Sequence, residues 1–156
     1  MAVKNRPLGR IDGLTNFATE EFVVTSGVTI TDGDFVYFAS GRVTNASITG
    51  ARLVGMALQT ATGNAGGTVL VLVCIDPMMR YLVDNDNLVT TFGLTHVGTY
   101  FDLIGATGAQ LVDTSTTSAT TGQLICLEYN PKVAPVETDT SFGVFKIAES
   151  VLSLGV

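Results

Sequence analysis

One histidine, two cysteines and a cluster of aspartates and asparagines are the residues of this chain best suited to chemistry. His96 has no second histidine with which to share a metal, and no serine or cysteine stands in a nucleophile-elbow setting that it could serve as base. Cys74 and Cys126 each lie inside an apolar run, without the C-x-x-C spacing of a redox or zinc motif. They read as two buried free thiols of a protein folded in a reducing cytoplasm. A disulfide between them would need neighbouring strands to bring the two Cα atoms within about 7 Å. The segment "DNDN" (84–87) offers two carboxylates and two amides, donors that calcium favours. It lacks the glycine and the distal glutamate of an EF-hand loop and reads as a turn. "GNAGG" (63–67) has the glycines of a phosphate loop, but it leads into the strand-like "TVLVLV" and has no Lys-Ser/Thr ending. "NAS" (45–47) fits a glycosylation acceptor only on a secretory route. These residues assemble no acid–base set, and the expectation is a chain that is not an enzyme and needs no cofactor or metal.

The basic residues are distributed unevenly. Lys4, Arg6 and Arg10 are three of the eight lysines and arginines, and removing them leaves five against fourteen acidic residues, a remainder near −9. The whole chain carries −6, so a polyanion is repelled by most of it and nucleic acid is not an expected partner. No apolar run reaches the roughly 18 residues of a membrane span, and the N-terminal "MAVKNRPLGRIDG" has no apolar stretch of the kind found in secretory signals. That segment contains Pro7, Gly9 and Gly13 and few packing residues. It reads either as a loose tail or as an extended arm (1–19) that lies along an acidic partner surface. Lys4, Arg6 and Arg10 are then the candidate contacts, and the arm is removable without cost to the body's stability.

The elements behind these residues are short. The chain has 156 residues, 46% of them apolar, enough for one ordinary domain or two small lobes on a shared core. No sustained 3.6-residue period appears. Short β-branched runs bounded by Gly, Asp, Asn, Ser and Thr predict an all-β fold of small barrel or sandwich lobes. Strands are expected at "EEFVVTS" (20–26), within "TDGDFVYFA" (31–39), at "GRVTNASI" (41–48), "ARLVGMALQ" (51–59) and "TVLVLVCI" (68–75), and near 78–83. Gly55 marks a bulge or a close backbone approach. "TVLVLVCI" shows no polar alternation and so predicts cover on both faces, from a second sheet or a neighbouring subunit. "DTSTTSATTG" (113–122) reads as a long hydroxyl-rich loop. The C-terminal "FKIAESVLSLGV" is open between a strand and a short helix.

The two halves share a grammar. Residues 31–58 and 95–129 each run from a glycine through an aromatic pair, a strand, a glycine-bearing turn, a short strand, a Thr/Ser/Ala segment and a further strand. Gly33 precedes Phe35 and Tyr37 as Gly98 precedes Tyr100 and Phe101. The pattern divides the chain into a first lobe at 20–83 and a second at 84–156, the pair able to form one compact domain whose sheets bury each other's faces.

The series "GVTITDGDFVYFASGRVTNASITGARLVGMALQTATGNAGGTVLVLV" resembles the small proteins that decorate the capsids of tailed bacteriophages. The likeness lies in a Gly-Asp-x-Val strand, a polar hairpin, a hydrophobic-Gly-hydrophobic-Ala strand (Leu53 to Ala57) and a glycine-rich loop before a Val-x-Val strand. "GTYFDLIGATGAQLVDTSTTSATTGQLICLEY" looks like segments of phage structural proteins, and the likeness spans residues 20–149. The resemblance implies a β-rich subunit of the virion, usually a trimer, made in the host cytoplasm and clipped onto the outside of the shell. The major capsid protein is the implied partner, and an N-terminal segment aids attachment. Two lobes stand here where the smallest members carry one. Other virion roles that fit the same residues are a head-fibre base, a tail tube or a head-completion protein. A small β-barrel hydrolase is the remaining alternative from another class.

Overall fold

Thirteen strands form among the residues that the computed structural model describes, 5–46, 51–86, 92–129 and 142–148. In order they are β1 (Arg6–Arg10), β2 (Thr19–Val23), β3 (Thr29–Ile30), β4 (Phe35–Ala39), β5 (Arg42–Asn45), β6 (Leu53–Ala57), β7 (Ala61–Thr62), β8 (Leu70–Cys74), β9 (Met79–Asp84), β10 (Tyr100–Ile104), β11 (Leu111–Ser118), β12 (Leu124–Tyr129) and β13 (Phe142–Ile147). The only helical element described is a 3-10 turn at Leu94–His96. The fold is therefore all-β, as the short β-branched runs predict.

Strand pairing is antiparallel within three sheets: β2-β8-β6-β4-β5, β1-β9-β13-β12-β10-β11, and the ribbon β3-β7. The two large sheets repeat one another strand for strand, β2-β8-β6-β4-β5 matching β9-β13-β12-β10-β11. The register repeats as well. Phe35 opposes Met56 as Tyr100 opposes Ile125; Met56 opposes Cys74 as Ile125 opposes Lys146; Val23 opposes Leu70 as Asp84 opposes Phe142. Each sheet curls so that the residue after its first strand forms a parallel bridge to its last, Val24 with Val43 and Asn85 with Val112. The glycines of the sequence echo play the same part in both units. Gly33 N–H donates to Ala57 O at 2.9 Å, and Gly98 N–H to Cys126 O at 2.8 Å.

One core joins the units. Phe35, Leu53, Met56 and Cys74 from the first pack with Tyr81, Phe101, Leu124 and Phe145 from the second. Val24, Ile30, Val36, Val43, Val54, Val71 and Val73 fill the other face of the five-stranded sheet. The alternation along β4 and β6 divides their side chains between the two clusters, as a strand covered on both faces requires.

The units differ where β4–β5 and β10–β11 turn. Ser40 and Gly41 close the first hairpin in two residues, both at positive φ (51° and 77°), the primed geometry that follows strand twist. The second hairpin takes six residues, 105–110, and the surplus reaches the first unit. Asp34 accepts Gly108 N–H at 2.7 Å and the Thr107 hydroxyl. The Gln110 amide straddles the Phe35 backbone, accepting its N–H at 2.6 Å and donating to its carbonyl at 3.0 Å.

Several sequence expectations change. The N-terminal segment is not a free arm: residues 6–10 are a strand of the six-stranded sheet, with Leu8 packed on Leu82 and Phe142. Proline fits there because Pro7 opposes Tyr81 on an outermost strand, where a missing N–H breaks no ladder bond. β9, which a boundary at 83 assigns to the first lobe, lies between β1 and β13 in the second sheet. Residues 113–118 of the hydroxyl-rich stretch belong to strand β11, where β-branched threonines alternate between half-buried and exposed. β8 is covered on both faces only near Cys74, while Leu70 is 43% exposed. Residues 149–156 lie outside the described residues, as does Asn87 of the "DNDN" turn.

Candidate functional interface

The three basic residues of the N-terminal segment have different settings. Lys4 lies outside the described residues. Arg6 is half-buried in β1 opposite Leu82. Arg10 ends β1 with its guanidinium turned onto Asp12 and onto Asp76, whose side chain is only 1% exposed. Asp76 also accepts Ala18 N–H at 3.2 Å and Met78 N–H at 2.9 Å. The Arg10 guanidinium holds the Asp12 carboxyl down at about 2, and Asp12 with Asp76 raises the arginine in turn. Arg10 thus fastens the end of β1 and the loop beyond it to the turn before β9.

That loop is the unusual surface. Residues 11–18 are all exposed, and among them Ile11 (44%), Leu14 (60%) and Phe17 (39%) show large apolar side chains to solvent. Leu14 and Phe17 border an open groove of about 460 Å³ whose other walls include Pro7, Leu8, Met79 and Arg80. Arg80 reaches the Gly9 carbonyl through Nε at 3.5 Å. The groove therefore offers apolar walls and a guanidinium in one place, a combination suited to a peptide segment. Leu14 and Phe17 escape sequence reading because an apolar residue in a Gly/Asp-rich segment carries no periodicity. Only the fastening by Arg10 makes the loop a defined surface.

The residues that suggested chemistry have structural partners. His96 Nδ1 accepts Gly93 N–H at 2.9 Å, and its ring packs against Phe92 and Phe101. "DNDN" begins as strand, Asp84 ending β9 and Asn85 bridging Val112, and Asp86 accepts the Thr114 N–H and hydroxyl at 3.0 and 2.8 Å, tying this end of β9 to β11. Asn64 accepts Thr68 N–H at 3.1 Å, closing the glycine-rich loop as a turn, and Gly63 lies against the Thr25 backbone. Cys74 and Cys126 are free and buried, and burial pushes the Cys126 thiol up to about 11. Among the described residues, no three His, Cys, Asp or Glu side chains are grouped to hold a metal, and no helix is long and apolar enough to cross a membrane.

No protein-family model matches the chain, and neither the curated proteins nor the solved structures include a match.

Proposed function

We propose that this chain is a non-enzymatic structural protein of a virus particle, one that binds the outside of an assembled tailed-phage capsid and stabilises it. The observation that carries the reading is the Ile11–Phe17 loop, an exposed apolar surface beside Arg80 that is fastened to a rigid β body. The sequence likeness to capsid decoration proteins supplies the partner class. A protein that touches several shell subunits only when they are correctly assembled stabilises that assembly by mass action. In a homotrimer the same loop appears three times, and each further contact is intramolecular once the first has formed. Attachment then belongs chiefly to Ile11, Leu14, Phe17 and Arg80, with Arg6 a further candidate contact at the far end of β1, while Arg10 holds the loop in place.

Co-sedimentation with empty capsids of the shell protein encoded alongside this chain tests the reading. The native protein is expected in the capsid fraction. Leu14→Asp with Phe17→Asp is expected to weaken its retention at least about tenfold, or about 1.4 kcal/mol, with an unchanged melting temperature. A native protein that stays in the supernatant at saturating capsid overturns the proposal. Light scattering tests the trimer: a mass of one chain both free and on the particle rejects it.

A further inference from the structure

The repeat leaves one position filled in the second unit and vacant in the first. In the second unit β1 lies on the free edge of β9, Arg6 opposite Leu82 and Arg10 opposite Met79, and Leu8 covers Leu82 and Phe142. The matching edge in the first unit is β2. β5 closes that edge only at its end, where Val24 bridges Val43, and among the described residues no strand lies along Thr19 to Phe22. Matching the registers sets Glu21 at the place of Leu82, Leu70 at the place of Phe142 and Leu72 at the place of Val144. Phe142 and Val144 are each 2% exposed, whereas Leu70 is 43% exposed and Leu72 half-buried. The first unit therefore shows to solvent the apolar strip that β1 helps to cover in the second.

The edge is built to receive a strand. Val24 N–H bonds Val69 O and Ile75 N–H bonds Ala18 O, so the even-numbered residues face β8. Thr19 and Glu21 accordingly turn their N–H and C=O groups outward to an open edge, while Val23 and Thr25 face β5, where Thr25 donates to Val43 O. β2 has neither a proline nor a bulge, the devices with which β1 protects its own outer edge at Pro7 and Gly9. What it has is charge: Glu20 and Glu21 are both exposed. Two β2 edges meeting in a pair of copies would set these carboxylates near one another, which disfavours self-pairing. A second copy's β1 gains nothing either, since leaving β9 uncovers an equal strip.

We propose that the outer edge of β2 is a strand-acceptor site for an extended segment of a partner protein, with a basic residue opposite Glu21 and an aliphatic residue over Leu70 and Leu72. Main-chain hydrogen bonds from Thr19 and Glu21 supply affinity, and the carboxylates with the leucine strip supply selection. The site stands on the internal repeat and not on the capsid reading, so either can fail alone.

The probe is a capped peptide with the sequence of residues 4–12, KNRPLGRID, which carries the pattern β1 uses. Backbone amide exchange is followed in the full chain. Without peptide, the amides of Thr19 and Glu21 are expected to exchange at least about tenfold faster than those of Glu20 and Phe22. Saturating peptide is expected to slow Thr19 and Glu21 at least about tenfold. Glu21→Lys and Leu70→Ser, both at exposed positions, are each expected to raise the peptide Kd at least about fivefold with the fold retained. Three results overturn the proposal: peptide that leaves the β2 amides unprotected; protection of Thr19 and Glu21 that rises with protein concentration in the absence of peptide, which means self-pairing; or protection confined to β9. Peptide binding at β2 without capsid binding keeps this site and removes the capsid reading.

Discussion

Arg10 shows how far a residue type can be read without its surroundings. Its charge, set in a segment poor in packing residues, points outward to a partner; the structure points it inward to the buried carboxylate of Asp76. Sequence shows neither that Asp76 is buried nor that the two sit together across 66 residues. Removing the arginine leaves the buried Asp76 carboxylate with only its backbone donors, so Arg10→Ala is expected to lower the urea midpoint measurably, where loss of a solvated arginine would leave it unchanged. Acid acts on the same cluster. The folded Asp12 carboxyl lies at about 2 against an ordinary 3.8, so its contribution is full above pH 3.8 and is lost as pH falls toward 2. A stability–pH curve for Asp12→Asn is expected to lie below that of the native chain above pH 4 and to converge with it near pH 2. Cys126 is a residue whose reading from sequence was simple, because an apolar run around a lone cysteine means burial. With its thiol at about 11 instead of 9.0, the thiolate fraction at pH 8 falls about a hundredfold. Iodoacetamide is expected to label it at least about a hundred times more slowly in the native chain than in urea.

Among the elements, those defined by their own residues were legible and those defined by a neighbour were not. "DFVYFA", "RLVGMA" and "VLVLVC" state their strands through β-branched and aromatic runs, and Gly55 in the second of them states a close approach. A Cβ at Gly55 would stand 1.9 Å from the Cys74 carbonyl oxygen on β8. Gly55→Ala is accordingly expected to push the two strands apart and cost about 3 kcal/mol, read as a lower urea midpoint at unchanged slope. β1 is the opposite case. "RPLGR" has no alternation, two turn-forming residues and two charges, and it becomes a strand only because β9 offers an edge and Leu82 with Phe142 offers an apolar face. "DTSTTS" is similar, since its threonines suit a loop or an exposed strand alike and β10 decides between them. The candidate interface inherits this blindness: Leu14 and Phe17 matter because β1 and β2, on either side of them, belong to different sheets.

For the molecule as a whole, the shared core and the 105–110 loop make two similar units into one cooperative body. Asp34, Phe35 and Gln110 are buried or nearly so, and every bond between them crosses from one unit to the other. Heat is therefore expected to melt both units in a single calorimetric transition, with van't Hoff and calorimetric enthalpies equal. Two transitions would mean that the units are independent lobes on a tether. Gln110→Ala strips the Phe35 N–H of its partner, while the carbonyl keeps Ala46 N–H, and is expected to lower the transition by an amount corresponding to about 2 kcal/mol without splitting it. The repeat itself was partly visible in sequence through Gly33 and Gly98. Its register was not, because pairing partners such as Val23 with Leu70 are set by geometry across loops of unequal length.

The place of β1 also sets an order in time. Its partner β9 is held on the other side by β13, and both follow β1 in the chain. During synthesis β1 therefore leaves the ribosome before the sheet it joins is finished, and that sheet is complete only once β13 has been made. Until then its arginines and Leu8 remain available to whatever the nascent chain meets, and docking them is a late step of folding.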